Sequence, residues 1–228
     1  MSKLIIMRKV ELISGEYYHI YNRGVEKREI FLDNFDYIRF LKSISEFISI
    51  EPIGSLYEKS LKDKKIVQKE KDTPCPIGHG VSKCLVELNA YCLNPNHFHF
   101  ILKQLEDRGI EKFMHKLSMG YAKYFNHKYK RSGVLFQGTF KSIHINSNEY
   151  LLLLSAYVNA NHEIHGFLER DWPYSSFLDY TGKRDGKLCN KEIILGQFDN
   201  DFSEYEKYMK NNVNYFREKK EAEEYILE

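Results

Sequence analysis

Two apolar runs, Leu85 to Leu93 and His97 to Gln104, are separated only by Asn94-Pro95-Asn96. Both runs are rich in β-formers and the connector is turn chemistry, so they read as neighbouring antiparallel strands and commit the chain to an antiparallel sheet. Along the second run side chains alternate between faces. His97 and His99 therefore point one way while Phe98, Phe100 and Leu102 point the other. Two imidazoles side by side on a strand with an apolar back are half of a divalent-metal site, because neutral imidazole nitrogen is a common ligand and a strand fixes the spacing. His-x-His alone does not complete such a site, and taken by itself the pair is better read as hydrogen-bonded groups on a sheet surface.

The elements around this pair follow from periodicity. Glu16 to Gly24 reads as a strand ending at the turn signal Asn22-Arg23-Gly24. Asp33 caps a helix through about Ile50, with Phe35, Ile38, Leu41, Ile44 and Ile48 at helical spacing. Residues 52–83, lysine-rich and then carrying Pro74, Pro76, Gly78 and Gly80, read as an inserted loop or lid. Gly109 to Tyr129 is a long amphipathic helix with Ile110, Phe113, Leu117, Tyr121, Tyr124 and Phe125 on its inner side. Thr139 to Ile145 makes a fourth strand, and Ser147 or Asn148 caps a further helix through about Asn161. The order β-α-β-β-α-β predicts an α+β chain of ferredoxin-like topology, an antiparallel sheet with helices on one face, plus a C-terminal helix bearing Tyr157. In that topology the first and third strands are central. His19, Tyr21 and Arg23, or their neighbours, would then flank the histidines, as register decides.

At 228 residues, 43% hydrophobic and 29% charged, the chain is long enough for one sizeable core and is too apolar to be disordered. The expected division is a principal domain over 1–180 and a helical extension over 181–228. Leu4-Ile5-Ile6-Met7 is too short for a signal peptide or a membrane span, and no later apolar run is long enough, so a cytoplasmic location and no membrane partner are expected. The net charge of +2 is unevenly spread. Between Glu111 and Glu149 no acidic residue occurs, while Lys112, Lys116, Lys123, Lys128, Lys130, Arg131 and Lys141 fall there among Tyr121, Tyr124, Phe125, Tyr129, Phe136 and Phe140. Such a stretch suits a polyanion that also offers flat bases, which makes nucleic acid the leading partner; a solvated basic helix face is the plainer alternative. Acidic residues gather in the tail from Asp199 to Glu228, which would repel that ligand and so is expected to pack away from it.

Tyr157 and Asn161 are four residues apart and share a helix face. The Asn161 carboxamide oxygen suits a hard cation and could complete a set with His97 and His99. Tyr157 would then lie beside the metal, where a phenol, ordinarily a poor nucleophile at neutral pH, can attack a polarised phosphodiester. Read alone, Tyr157 is better explained as a core tyrosine.

Together these segments resemble the single-tyrosine HUH transposases, and among them the REP-associated tyrosine transposases. The resemblance rests on Tyr17-Tyr18-His19-Ile20-Tyr21-Asn22-Arg23-Gly24, Asn94-Pro95-Asn96-His97-Phe98-His99, Tyr157-Val158-Asn159-Ala160-Asn161 and Asp171-Trp172-Pro173-Tyr174-Ser175-Ser176, in family order over about residues 15 to 180. It implies that His97, His99 and Asn161 hold Mg²⁺ or Mn²⁺ and that Tyr157 cuts single-stranded DNA, leaving a 5′-phosphotyrosine and a free 3′-hydroxyl. It also implies hairpin DNA of palindromic repeats as the partner. The basic aromatic stretch is where that contact is expected, with Lys123, Lys128, Lys130, Arg131 and Lys141, and Arg23 on the first strand, tracking phosphates and an exposed aromatic among Tyr124, Tyr129 and Phe136 stacking on an unpaired base. A module that grips hairpin DNA or RNA without cutting, and a hydrolase in which water attacks, are the other readings. A monomer is favoured over a homodimer. Where the family pattern continues from the asparagine into proline, this chain has His162, which could compete with Asn161 for the metal, as could His165.

Overall fold

The computed structural model describes residues 11–50, 84–166 and 171–226; the expected insertion at 52–83 lies outside the described residues. Four strands, β1 (Tyr17–Arg23), β2 (Val86–Asn94), β3 (His97–Gln104) and β4 (Lys141–Ile145), pair antiparallel in the order β2-β3-β1-β4. This is the α+β arrangement expected from the order of elements, with β1 and β3 at the centre. Register places Tyr21 opposite His99 and Arg23 opposite His97, which settles that the odd-numbered residues of β1 share the histidine face.

The even-numbered face is covered by α1 (Asn34–Phe47) and α2 (Gly109–Lys128). Tyr18, Ile20, Phe98, Phe100 and Leu102 of the sheet meet Phe40, Ile44, Phe113, Leu117, Tyr121 and Phe125 of these helices in one core. Helix α1 starts on Asp33, whose carboxylate accepts from the Asp36 amide at 3.0 Å. Its inner face differs from the expected one. Phe35 and Ile38 are exposed at 72% and 56%, while Asp36, Tyr37 and Phe40 point inward. The cause is Asp36, which is fully buried and accepts from Lys128 Nζ at 2.7 Å, Tyr129 Oη at 2.7 Å and Tyr124 Oη at 3.0 Å, turning the helix toward α2.

The odd-numbered face receives α3 (Asn148–Asn159), which Ser147 caps by accepting from the Tyr150 amide at 3.1 Å. Leu151, Leu154 and Val158 pack there on Ala90, Cys92, Ile101 and Ile145. After α3 come the short helices α4 (Asn161–Ile164), α5 (Phe177–Tyr180) and α6 (Glu192–Leu195), then the long α7 (Phe202–Ile226). The Trp172 to Ser176 segment runs along β2: Trp172 Nε1 donates to the Leu93 carbonyl at 2.8 Å, the Leu93 amide to the Tyr174 carbonyl at 2.9 Å, and Tyr174 stacks on Tyr37 at 3.9 Å. The acidic tail does not pack away from the histidine face as its charge suggests. Tyr205, Met209 and Val213 of α7 are buried, and Tyr205 accepts a hydrogen bond from Asn159 Nδ2 at 2.7 Å, because apolar area along the helix outweighs its net charge in deciding where it docks. Among the described residues no helix is long and apolar enough to cross a membrane.

Candidate active site

Alternation along two paired strands assembles the site. His19 and Tyr21 of β1 and His97 and His99 of β3 share one face, and α3 lays Tyr157 over it. The Tyr157 ring stands edge-on to His99 with centroids 5.6 Å apart, and 6.2 Å from His19; Phe216 of α7 flanks it at 5.2 Å. Tyr157 thus reaches the histidine pair within its own chain.

Each histidine of the pair has a residue that orients it. His97 Nδ1 lies 2.6 Å from Asn96 Oδ1, an acceptor, so Nδ1 carries the proton and Nε2 keeps its lone pair. His99 Nδ1 lies 2.8 Å from His19 Nε2, and a proton on His99 Nδ1 likewise leaves its Nε2 as a lone pair. Burial holds His19 and His99 neutral: it pushes His19 down to about 3, and it lowers His99 well below the usual histidine value, with His19, His97 and His165 adding to the effect. Neutral imidazole is the form that ligates a metal.

Helix α3 ends at Asn159, short of the expected Asn161. Ala160, at φ −92° and ψ 3°, leaves the helical region, and Asn161 opens α4. Tyr157 and Asn161 therefore do not share one continuous helix face, yet both reach the site, Tyr157 beside His99 and Asn161 beside His97. Asn161 Oδ1 lies 3.1 Å from His97 Nε2, and its Nδ2 is buried with no hydrogen-bond partner. His162 points elsewhere, buried against Trp172 and Phe177, and burial pushes it down to about 4. His165, by contrast, comes within 4.6 Å of the His97 ring. Among the described residues no group of three or more His, Cys, Asp or Glu side chains is placed to hold a metal ion. A set built from His97, His99 and Asn161 is all neutral nitrogen and amide oxygen. Such a set fits Mg²⁺ or Mn²⁺ only weakly by itself and suits a cation shared with phosphate oxygens.

The basic stretch divides between the two layers. Arg23 and Lys141 are exposed on the histidine side, Arg23 hydrogen-bonded to Gln137 and Lys141 lying 5.9 Å from the Tyr21 ring centre. Lys123, Tyr124, Lys128, Lys130 and Arg131 belong to the end of α2 and the turn after it, in the opposite layer. Lys123 and Lys130 are exposed there. Lys128 is spoken for by Asp33 and Asp36, Tyr124 donates to Asp36, and Arg131 donates to Asn126 at 3.0 Å. Spacing alone brings out neither His19 nor Asn96 as an orienting residue; the available signal is that His19 can share a face with His99 and that Asn96 directly precedes His97.

Residues 64–161, which span His97, His99, Tyr157 and Asn161, match the family model described as transposase IS200 like. Over that stretch, less than half of its length, the chain is similar to the IS200-like transposases. In fold it is similar to a solved REP-associated tyrosine transposase bound to a REP hairpin, with TM-score 0.50 and 19% identity over 84% of this chain and 90% of that one. No curated protein matches by sequence.

Proposed function

We propose that this IS200-like chain cuts and rejoins single-stranded DNA at hairpins through a covalent link to Tyr157. The observation that carries this reading is the placement of Tyr157 against His99, with Asn161 against the neighbouring His97, on one rigid sheet face. In the cutting step the Tyr157 oxygen bonds to phosphorus and the P–O3′ bond breaks. The phenol gives up its proton, the departing 3′ oxygen takes one up, and a 5′-phosphotyrosine and a 3′-hydroxyl result. Rejoining is the reverse and conserves the bond energy. His97, His99 and Asn161 would hold Mg²⁺ or Mn²⁺, which when bound polarises the phosphodiester oxygens. Arg23 and Lys141, exposed on the same side, supply phosphate contacts near the reacting strand. The hairpin as target is supported by the fold shared with a transposase solved on a REP hairpin.

The test is trapping. Labelled single-stranded hairpin DNA with Mg²⁺ is expected to give a protein adduct that survives denaturant and that Tyr157→Phe does not form. Cleavage without an adduct would assign attack to water, and binding without cleavage would make the chain a binding module.

A further inference from the structure

Asn94, the last residue of β2, is fully buried and lies across from His97. Its Nδ2 sits 2.8 Å from His97 Nε2 and 2.6 Å from Asn161 Oδ1. Since Asn96 fixes the proton of His97 on Nδ1, both of these atoms are acceptors, and they face one another at 3.1 Å. Two acceptors so close are favourable only around a shared donor or a cation. The other end of the same carboxamide is poorly served: Asn94 Oδ1 has the Cys92 thiol at 3.6 Å, a weak donor. Asn161 Nδ2, also buried, has no partner.

We propose that Asn94 is a further metal ligand, a role that rests on the metal reading of the site given above. Half a turn about its Cβ–Cγ bond exchanges NH₂ for Oδ1 and brings three lone-pair atoms, His97 Nε2, Asn161 Oδ1 and Asn94 Oδ1, to one point. Sulfur accepts as readily as it donates, so Cys92 can face either end of the amide. The spacings of 2.6, 2.8 and 3.1 Å are those of ligand atoms on adjacent corners of an octahedral site; atoms about 2.1 Å from such an ion lie about 3 Å apart. Asn94 also offers what the set of His97, His99 and Asn161 lacks, a second hard oxygen.

The experiment measures Mn²⁺ binding to DNA-free protein from the free-ion paramagnetic resonance signal, with thermal melting as a check on folding. Asn94→Asp, which is isosteric, places a charged oxygen in the same position and is expected to bind about tenfold more tightly, and Asn94→Leu about tenfold more weakly. In the wild-type protein the Asn94 side-chain amide protons should also shift on addition of Mg²⁺, as they leave His97 and Asn161. Wild-type affinity in Asn94→Leu, or, should that variant not fold, unmoved Asn94 amide resonances at saturating Mg²⁺, overturns the role of Asn94. If the wild-type binds Mn²⁺ and His97→Ala does not, the metal reading stands even where the role of Asn94 falls. A wild-type protein that binds no Mn²⁺ overturns both.

Discussion

His19 shows how a single side chain can set which nitrogen of its neighbour carries the proton. An imidazole binds metal only through the nitrogen that carries no proton, and the hydrogen bond at the other nitrogen chooses which that is. His19 Nε2 at 2.8 Å is the partner that His99 Nδ1 has in the core. Replacing His19 by Ala should therefore weaken Mn²⁺ binding by about tenfold without touching a ligand, and His19→Gln, whose carboxamide oxygen can accept the same proton, should recover part of it. Equal affinities for wild type and His19→Ala in a calorimetric titration would remove this role. The pair His97 and His99 was legible from alternation alone, because a strand has only two faces. His19 was legible only as a flanking residue whose face awaited the register, and Asn94 was not legible, since their contacts depend on distances that local spacing does not encode.

Among the elements, α1 and α2 show where a pattern of residue types misleads. Phe35 and Ile38 satisfy a helical repeat, but the buried carboxylate of Asp36, with three side-chain donors around it, sets the rotation of α1. Breaking a buried ion pair by removing one partner leaves an uncompensated charge. Lys128→Met is therefore expected to destabilise the fold by about 3 kcal/mol in denaturant unfolding, reduced from the upper range because Lys128 keeps some solvent exposure. Hydrogen bonding to Lys128 holds Asp33 below the usual carboxylate range. The contribution of that pair is therefore complete above the ordinary carboxylate value and is lost as acid protonates Asp33 below it. The part of the gap between the melting temperatures of wild type and Lys128→Met that comes from Asp33 should accordingly narrow as pH falls below the ordinary carboxylate value of about 4; a gap unchanged through that range would count against it. The tyrosine helix was legible in position but not in extent, because the Ala160 break depends on backbone angles that Ala-Asn does not announce.

At the scale of the whole molecule, the sheet separates two jobs. One face carries the aromatic core with α1 and α2, and the other carries His19, His97, His99 and Tyr157 beneath α3 and α7. DNA binding should reflect that division. Removing one phosphate contact lowers the slope of log affinity against log salt by about 0.7 to 0.9. Arg23→Ala and Lys141→Ala should each lower the slope by about that amount, and Lys128→Met, whose charge is spent on Asp33 and Asp36, should leave it unchanged. A slope that falls only with Lys128 would place the hairpin on the other layer. The topology was readable because order and loop length leave few alternatives, while the docking of α7 beside Tyr157 was not, since charge pointed one way and buried area another.

The odd and even positions of β1 and β3 answer to different demands, and that sets a rule of inheritance for this chain. A single residue gained or lost at the start of β3 would turn Phe98 toward the phenol and His99 into the oily layer, and one in β1 ahead of His19 would turn that imidazole the same way. Connections can lengthen, and a helix can be appended, without that penalty. Variation among descendants of such a sequence should accumulate at the turns and the far end, and the parity of two short strands should be what they keep.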